Sequence, residues 1–195
     1  ASDVYKRQGS VFIVFREEKI GRTITDDFKE VVPESVLSQP IFNTFTVSLW
    51  AKPETFAASG RGFLLFPDKG EERYGRGHAV VGIAMGQNGI RIYERTKTNN
   101  VVLESKTPIE GWTYVTLVYS DGIPTLYLNG KKEVTGKKSM FVCSPAYDVP
   151  MAEEQYIASF EGDQTKVRYI AEAWSPQEGQ EAVSYTHLTL PTKLE

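Results

Sequence analysis

Alternation with a period of two, broken by short turns of Gly, Asn, Asp and Pro, constrains this chain more than any other feature. Phe45, Val47, Leu49 and Ala51 alternate with Thr44, Thr46, Ser48 and Trp50. Successive side chains of a strand point to opposite sides, so this segment has one apolar face and one mostly Thr/Ser face. Residues 79–85, AVVGIAM, and 90–95, IRIYER, flank Gly86-Gln87-Asn88-Gly89. Asn-Gly between apolar alternations predicts a hairpin, because both residues tolerate positive φ. Trp112 to Tyr119, WTYVTLVY, is apolar or β-branched on both faces and predicts a central strand covered on both sides. Asp121-Gly122 then turns the chain into a strand at Thr125 to Leu128, and Asn129-Gly130 turns it again into KKEVTG.

Phe63 to Phe66 reads as a short buried run stopped by Pro67, and VFIVFREE at residues 11–18 as a strand. Glu154 to Phe160 and Lys166 to Ala173 read as two more alternating strands. The one helical signal is Ser175-Pro176-Gln177-Glu178, an N-cap followed by Pro at the first helical position. An all-β chain with turns about every 8–12 residues is a sandwich or a barrel.

With 195 residues, no internal repeat and no linker, the pattern describes one domain. Apolar residues at 41% and charged residues at 24% are globular proportions, and a chain of this length buries roughly 70% of its unfolded surface without needing a disulfide or metal. The single cysteine, Cys143, has no internal partner and reads as a buried, inert thiol. A net charge of −3 with mixed signs argues against nucleic acid or an anionic membrane as partner, since both reward a basic patch. No run of about 18 apolar residues is present to span a bilayer.

Both ends look foreign. Residues 1–8, ASDVYKRQ, and residues 183–195, beginning VSYTHLTLPTK, resemble translated sequencing-adapter read-through, and the final Leu194-Glu195 resembles a cloning scar. The expected native domain is therefore residues 9–182, cut from a longer protein. His187 then carries no functional weight, and His78 is the remaining histidine.

Three segments in order resemble laminin G-like and concanavalin A-like domains: FTVSLWAKPE (Phe45–Glu54), GWTYVTLVYSDGIPTLYLNGK (Gly111–Lys131) and FEGDQTKVRYIAEAWSPQE (Phe160–Glu178). The resemblance implies an antiparallel two-sheet β-sandwich of the jelly-roll type. RGFLLFPDKGEERYGRGHAVVGIAMGQNGIRIYERT is similar to laminin G-like domains fused to bacterial glycoside hydrolases resembling α-L-rhamnosidases. That likeness implies an exported, extracellular or periplasmic polysaccharide-degrading parent.

The same fold hosts glycosidases with a Glu-x-Asp-x-Glu strand, whose carboxylates share one face about 7 Å apart. Here Glu161-Gly162-Asp163 is followed by Thr at position 165, so the triplet is absent. Glu71-Glu72 and Glu153-Glu154 are adjacent pairs that diverge on a strand and read as solvated charges. Cys143 and His78 have no context linking them as a nucleophile and base. GRGHAVVGIAMGQNG lacks the strand–loop–helix setting of a phosphate loop. A non-catalytic module is expected, with no cofactor. Calcium, common in this superfamily, has weak candidates in Asp68, Asp121, Asp148 and Asp163, each also readable as a turn-initiating Asp.

For an oligo- or polysaccharide ligand, Arg91, Tyr93 and Arg95 share one face of a strand opposite Ile90 and Ile92. Tyr74 and His78 in the preceding loop are placed to reach the same side of the sheet. The competing readings of that face are solvent-exposed surface and a docking surface for adjacent domains of the parent protein. Trp50 and Trp112 read as core packing and Trp174 as a cover for the sheet edge. Lys131-Lys132 and Lys137-Lys138 read as charges that keep an edge strand soluble.

Overall fold

The inward row of Phe45, Val47, Leu49 and Ala51 lies in the core against the inward row Val81, Ile83 and Met85 of a second sheet. The structure, a computed structural model, describes residues 6–7, 10–14, 22–23, 41–147 and 153–187. Among these, the N-terminal strands are β1 (Lys6–Arg7), β2 (Ser10–Val14), β3 (Arg22–Thr23), β4 (Phe45–Pro53) and β5 (Phe63–Leu65). Helix α1 (Gly70–Tyr74) leads into β6 (His78–Gly86), β7 (Gly89–Arg95) and β8 (Asn99–Ser105). Then come β9 (Thr113–Ser120), β10 (Ile123–Leu128), β11 (Lys131–Thr135) and β12 (Val142–Pro145). Helix α2 (Glu153–Ala158), β13 (Gly162–Gln164), β14 (Arg168–Ile170) and helix α3 (Pro176–His187) complete the chain.

The larger sheet runs β1-β2-β14-β4-β9-β10-β11, with β13 and β3 beside β4; the smaller runs β12-β6-β7-β8, with β5 also on β6. Pairing is antiparallel except that β12 runs parallel to β6 and β13 parallel to β3. The expected sandwich is therefore present, and β9 is central and buried on both faces. The outward residues Thr46 and Ser48 are buried too: Thr46 Oγ1 donates to Glu172 O at 2.7 Å and accepts from Trp174 N at 2.9 Å, and Ser48 Oγ accepts from the Tyr114 hydroxyl at 2.9 Å.

Asp121-Gly122 and Asn129-Gly130 turn as expected, with both residues at positive φ (48° and 77°, 51° and 75°). The third turn differs. There β6 ends at Gly86 and β7 starts at Gly89, so Gln87 and Asn88 make the connection and only Gly89 has positive φ, at 120°. Asn88 uses its amide to clamp a neighbouring segment, accepting from Ala57 N at 3.0 Å and donating to Ala57 O at 3.1 Å.

Residues 154–158, expected within a strand at 154–160, lie in helix α2. The governing pattern is i, i+3: Gln155 and Ala158 are buried while Tyr156 and Ile157 face out. The expected strand at 166–173 shortens to Arg168–Ile170. Ser175 does open a helix, in a capping box where Ser175 N donates to Glu178 Oε2 at 2.8 Å and Glu178 N to Ser175 Oγ at 3.4 Å. That helix continues to His187, past the boundary drawn at residue 182. Of VFIVFREE, residues 11–14 fall in β2, which pairs with β14, and residues 15–18 lie outside the described residues.

Cys143 is fully buried, and burial, followed by the nearby Glu94 charge, pushes its thiol up to about 12 from an ordinary 9.0. The unfolded chain therefore loses this proton near pH 9 while the folded chain keeps it. Stability is full below that pH and declines as pH rises toward 12. A thiol-specific disulfide reagent at pH 8 should leave the native protein unlabelled and label one thiol in denaturant. Cys143→Ala should make the fall in unfolding free energy between about pH 9 and about pH 11 shallower. Rapid native labelling would show that the site is open.

Candidate functional site

Three chain segments meet at one end of the sandwich, where β6 begins and β9 ends. The residues before β4 are tied to β12: Asn43 N donates to Cys143 O at 2.7 Å, and Asn43 Oδ1 accepts from Cys143 N at 2.9 Å. The turn between α1 and β6 joins the same strand through Val142 N and Gly77 O at 2.9 Å. On this frame stand Phe42, Tyr74, His78 and Tyr147, each half-buried. Phe42 meets Tyr74 edge-on at 5.4 Å and His78 at 5.4 Å, and Tyr74 lies 6.1 Å from His78. Tyr147 packs on the buried Tyr169 at 5.2 Å.

Arg73 organises the polar side of this rim. Its guanidinium lies 5.4 Å from the Tyr74 ring and 5.9 Å from the Tyr147 ring, and Asp68 pairs with it. His78 Nδ1 is 3.2 Å from Gly75 O. Burial holds the Tyr147 phenol up at about 12, so it is a neutral hydroxyl at ordinary pH. Half-buried aromatic rings beside N–H and O–H groups suit a ligand with an apolar face and a polar perimeter.

Of the expected binding residues, Tyr74 and His78 are here, and Arg91, Tyr93 and Arg95 are not. The latter three do share the outer face of the smaller sheet, but that face is roofed. Tyr93 is 2% exposed and packs with Phe63, Ala84 and Ala158, while its hydroxyl accepts from Gly60 N at 3.1 Å. Arg95 is 6% exposed, lies over Phe66 at 5.2 Å, and donates to Pro67 O at 3.0 Å and Glu154 Oε1 at 2.9 Å. Arg91 donates to Glu104 at 2.8 Å and Ala57 O at 3.4 Å. The expected sugar platform on this strand is corrected to an internal layer beneath residues 54–67 and α2.

The sequence carried a signal for that roof. The outward row of β6 includes Gly82, Ala84 and Gly86; a side chain at Gly82 would meet Pro67 Cδ at 2.4 Å, and one at Gly86 would meet Ala57 N at 2.2 Å. Small outward residues make room for another layer.

Sequence reasoning also missed Glu94. It continues the inward phase of Ile90 and Ile92, and it lies in the core, 3% exposed. Tyr119 donates its hydroxyl to Oε1 at 3.0 Å, Ser139 donates to Oε2 at 2.6 Å, and Cys143 Sγ is 3.3 Å from Ser139 Oγ.

The acidic candidates are dispersed. Asp68 pairs with Arg73, Asp121 with Lys138 at 2.5 Å, and Asp163 lies in β13 beside Lys52. Asp148 lies outside the described residues. Among the described residues no three of His, Cys, Asp and Glu come together. Glu161 accepts from Thr55 Oγ1 at 2.9 Å.

Residues 28–178 match the model of the concanavalin A-like lectin/glucanases superfamily, and the chain belongs to that superfamily. Comparison with curated proteins returns no match. Solved structures with a similar fold include domain 4 of AbnA, a GH43 extracellular arabinanase from Geobacillus stearothermophilus, in complex with arabinotriose. It is 19% identical, covering 73% of this chain and 67% of that one, with a TM-score of 0.49. An HCR/D mutant is 11% identical, covering 92% and 41%, with a TM-score of 0.50. The binding domain of botulinum neurotoxin DC in complex with SialylT is 12% identical, covering 74% and 36%, with a TM-score of 0.48. This chain thus spans well under half of the latter two, and at these identities the likeness is one of fold.

Proposed function

We propose that this domain is a non-catalytic carbohydrate-binding module of a larger secreted polysaccharide-degrading protein, and that it takes sugar at the Phe42–Tyr74–His78 rim. The observation that carries the reading is the half-buried ring cluster, held by main-chain bonds from three segments and flanked by the stacked Arg73. A sugar ring presents C–H groups on its face and hydroxyls at its edge. Tyr74 offers the former a surface, and the free N–H groups of Arg73 and the ring of His78 offer the latter partners. The module reading rests on the dispersal of the carboxylates: Glu161 is engaged by Thr55, Asp163 lies in β13, and Glu71 and Glu72 lie in helix α1.

The test is affinity electrophoresis over a panel of soluble polysaccharides, with and without calcium. Tyr74→Ala should weaken binding at least tenfold, a loss of about 1.4 kcal/mol or more, while the domain still unfolds cooperatively. Unchanged affinity in this variant would move the site elsewhere, and binding to no polysaccharide would reject the function.

A second reading has its own observation. Phe56 is 74% exposed on the segment roofing the smaller sheet, and Tyr156 and Ile157 are 62% and 56% exposed on α2, which covers the same face. This favours a docking surface for a neighbouring domain of the parent protein.

A further inference from the structure

Resting on the reading of the rim as a sugar site, we infer that its ligand is an acidic glycan, a chain bearing carboxylates. Around α1 the charges are matched one to one: Asp68 with Arg73, Glu72 with Lys69 at 3.0 Å, and Glu71 with Lys97 at 3.4 Å. Arg76 is the exception in this stretch. It is exposed, and among the described residues it has neither an ion pair nor a hydrogen bond.

Its setting is open yet fixed. Gly75 and Gly77 on either side have φ of 94° and 86°, and a side chain placed at either would meet nothing within 4 Å. The backbone between them is nevertheless tied down. Gly75 N donates to Glu71 O at 3.1 Å, His78 N to Gly75 O at 3.3 Å, and Val142 N to Gly77 O at 2.9 Å. A guanidinium is thus presented on an ordered loop, two residues from both Tyr74 and His78, with clear space beside it.

Arg is charged at every accessible pH, and its planar fork matches a carboxylate through two parallel hydrogen bonds. A neutral sugar stacked on Tyr74 leaves Arg76 as it is in water. A uronate in the same place supplies the acidic partner that the described residues do not.

The experiment compares polygalacturonate with the same polymer fully methyl-esterified, using the full chain, alongside a neutral polysaccharide panel. The acidic form should bind roughly tenfold more tightly at about 50 mM salt, with the difference shrinking at about 500 mM. Arg76→Gln should abolish the preference, whereas Tyr74→Ala should weaken binding of both forms. Equal affinity for the two forms, binding to neutral glycans only, or a preference that survives Arg76→Gln overturns the acidic ligand while leaving the sugar site standing. Binding to none of these polymers overturns both.

Discussion

Phe45→Ala should lower the unfolding free energy by about 3–5 kcal/mol, the largest loss expected from any single truncation here. Phe45 opens β4 and is fully buried. It is stacked on Tyr119 of β9, with centroids 4.7 Å apart and planes 12° apart, directly across the strand pair. Removing the ring deletes buried apolar surface and leaves a void beside a tyrosine whose hydroxyl is tied to the opposite sheet. For a chain of this size the midpoint should fall by roughly 6–20 °C. Thermal and chemical denaturation both report it. A loss below about 1 kcal/mol would mean that this end of the sandwich relaxes around the gap.

The second large effect concerns Glu94. Its carboxylate lies inside the sandwich and takes hydroxyl donors from Tyr119 and Ser139. Hydrogen bonds to a charged group contribute about 1.5–3 kcal/mol each, and a buried charge stripped of partners costs more. Tyr119→Phe with Ser139→Ala should therefore cost about 3–5 kcal/mol. Adding Glu94→Leu to that pair should return most of the loss, because replacing all members by apolar groups is close to neutral. A thermodynamic cycle of the hydroxyl pair against Glu94→Leu, ending in the triple variant and measured by urea unfolding, reads this directly. If Glu94→Leu brings no recovery, the carboxylate is not held by those hydroxyls.

The sandwich was legible because its core rows obey a single period. The inward residues of β4 are those that the alternation marks, β9 is covered on both faces as its two-sided apolar run predicts, and the Asp-Gly and second Asn-Gly turns sit where their tolerance of positive φ is used. Where two signals overlapped, alternation misled. In Glu154 to Phe160 the short apolar residues fit both periods, and packing of Gln155 and Ala158 on one side selected the helix.

The site was half legible for a related reason. Alternation says which residues share a face, not whether a loop lies over it. Arg91, Tyr93 and Arg95 share their face under residues 54–67, whereas Tyr74 and His78 remain at the rim. Phe42, Tyr147 and Arg73 join them through contacts between segments far apart in the chain, which no local pattern encodes. Glu94 was within reach, since it falls in phase with Ile90 and Ile92.

The rim is braced mainly by peptide groups, with one amide side chain, Asn43, as the rivet. A scaffold fastened in that way is indifferent to what it displays. Exchanging Arg76, which makes no contact that holds the loop, alters the chemistry offered to a passing molecule while the peptide bonds beneath keep the mount, so recognition on this sandwich is open to change at that position.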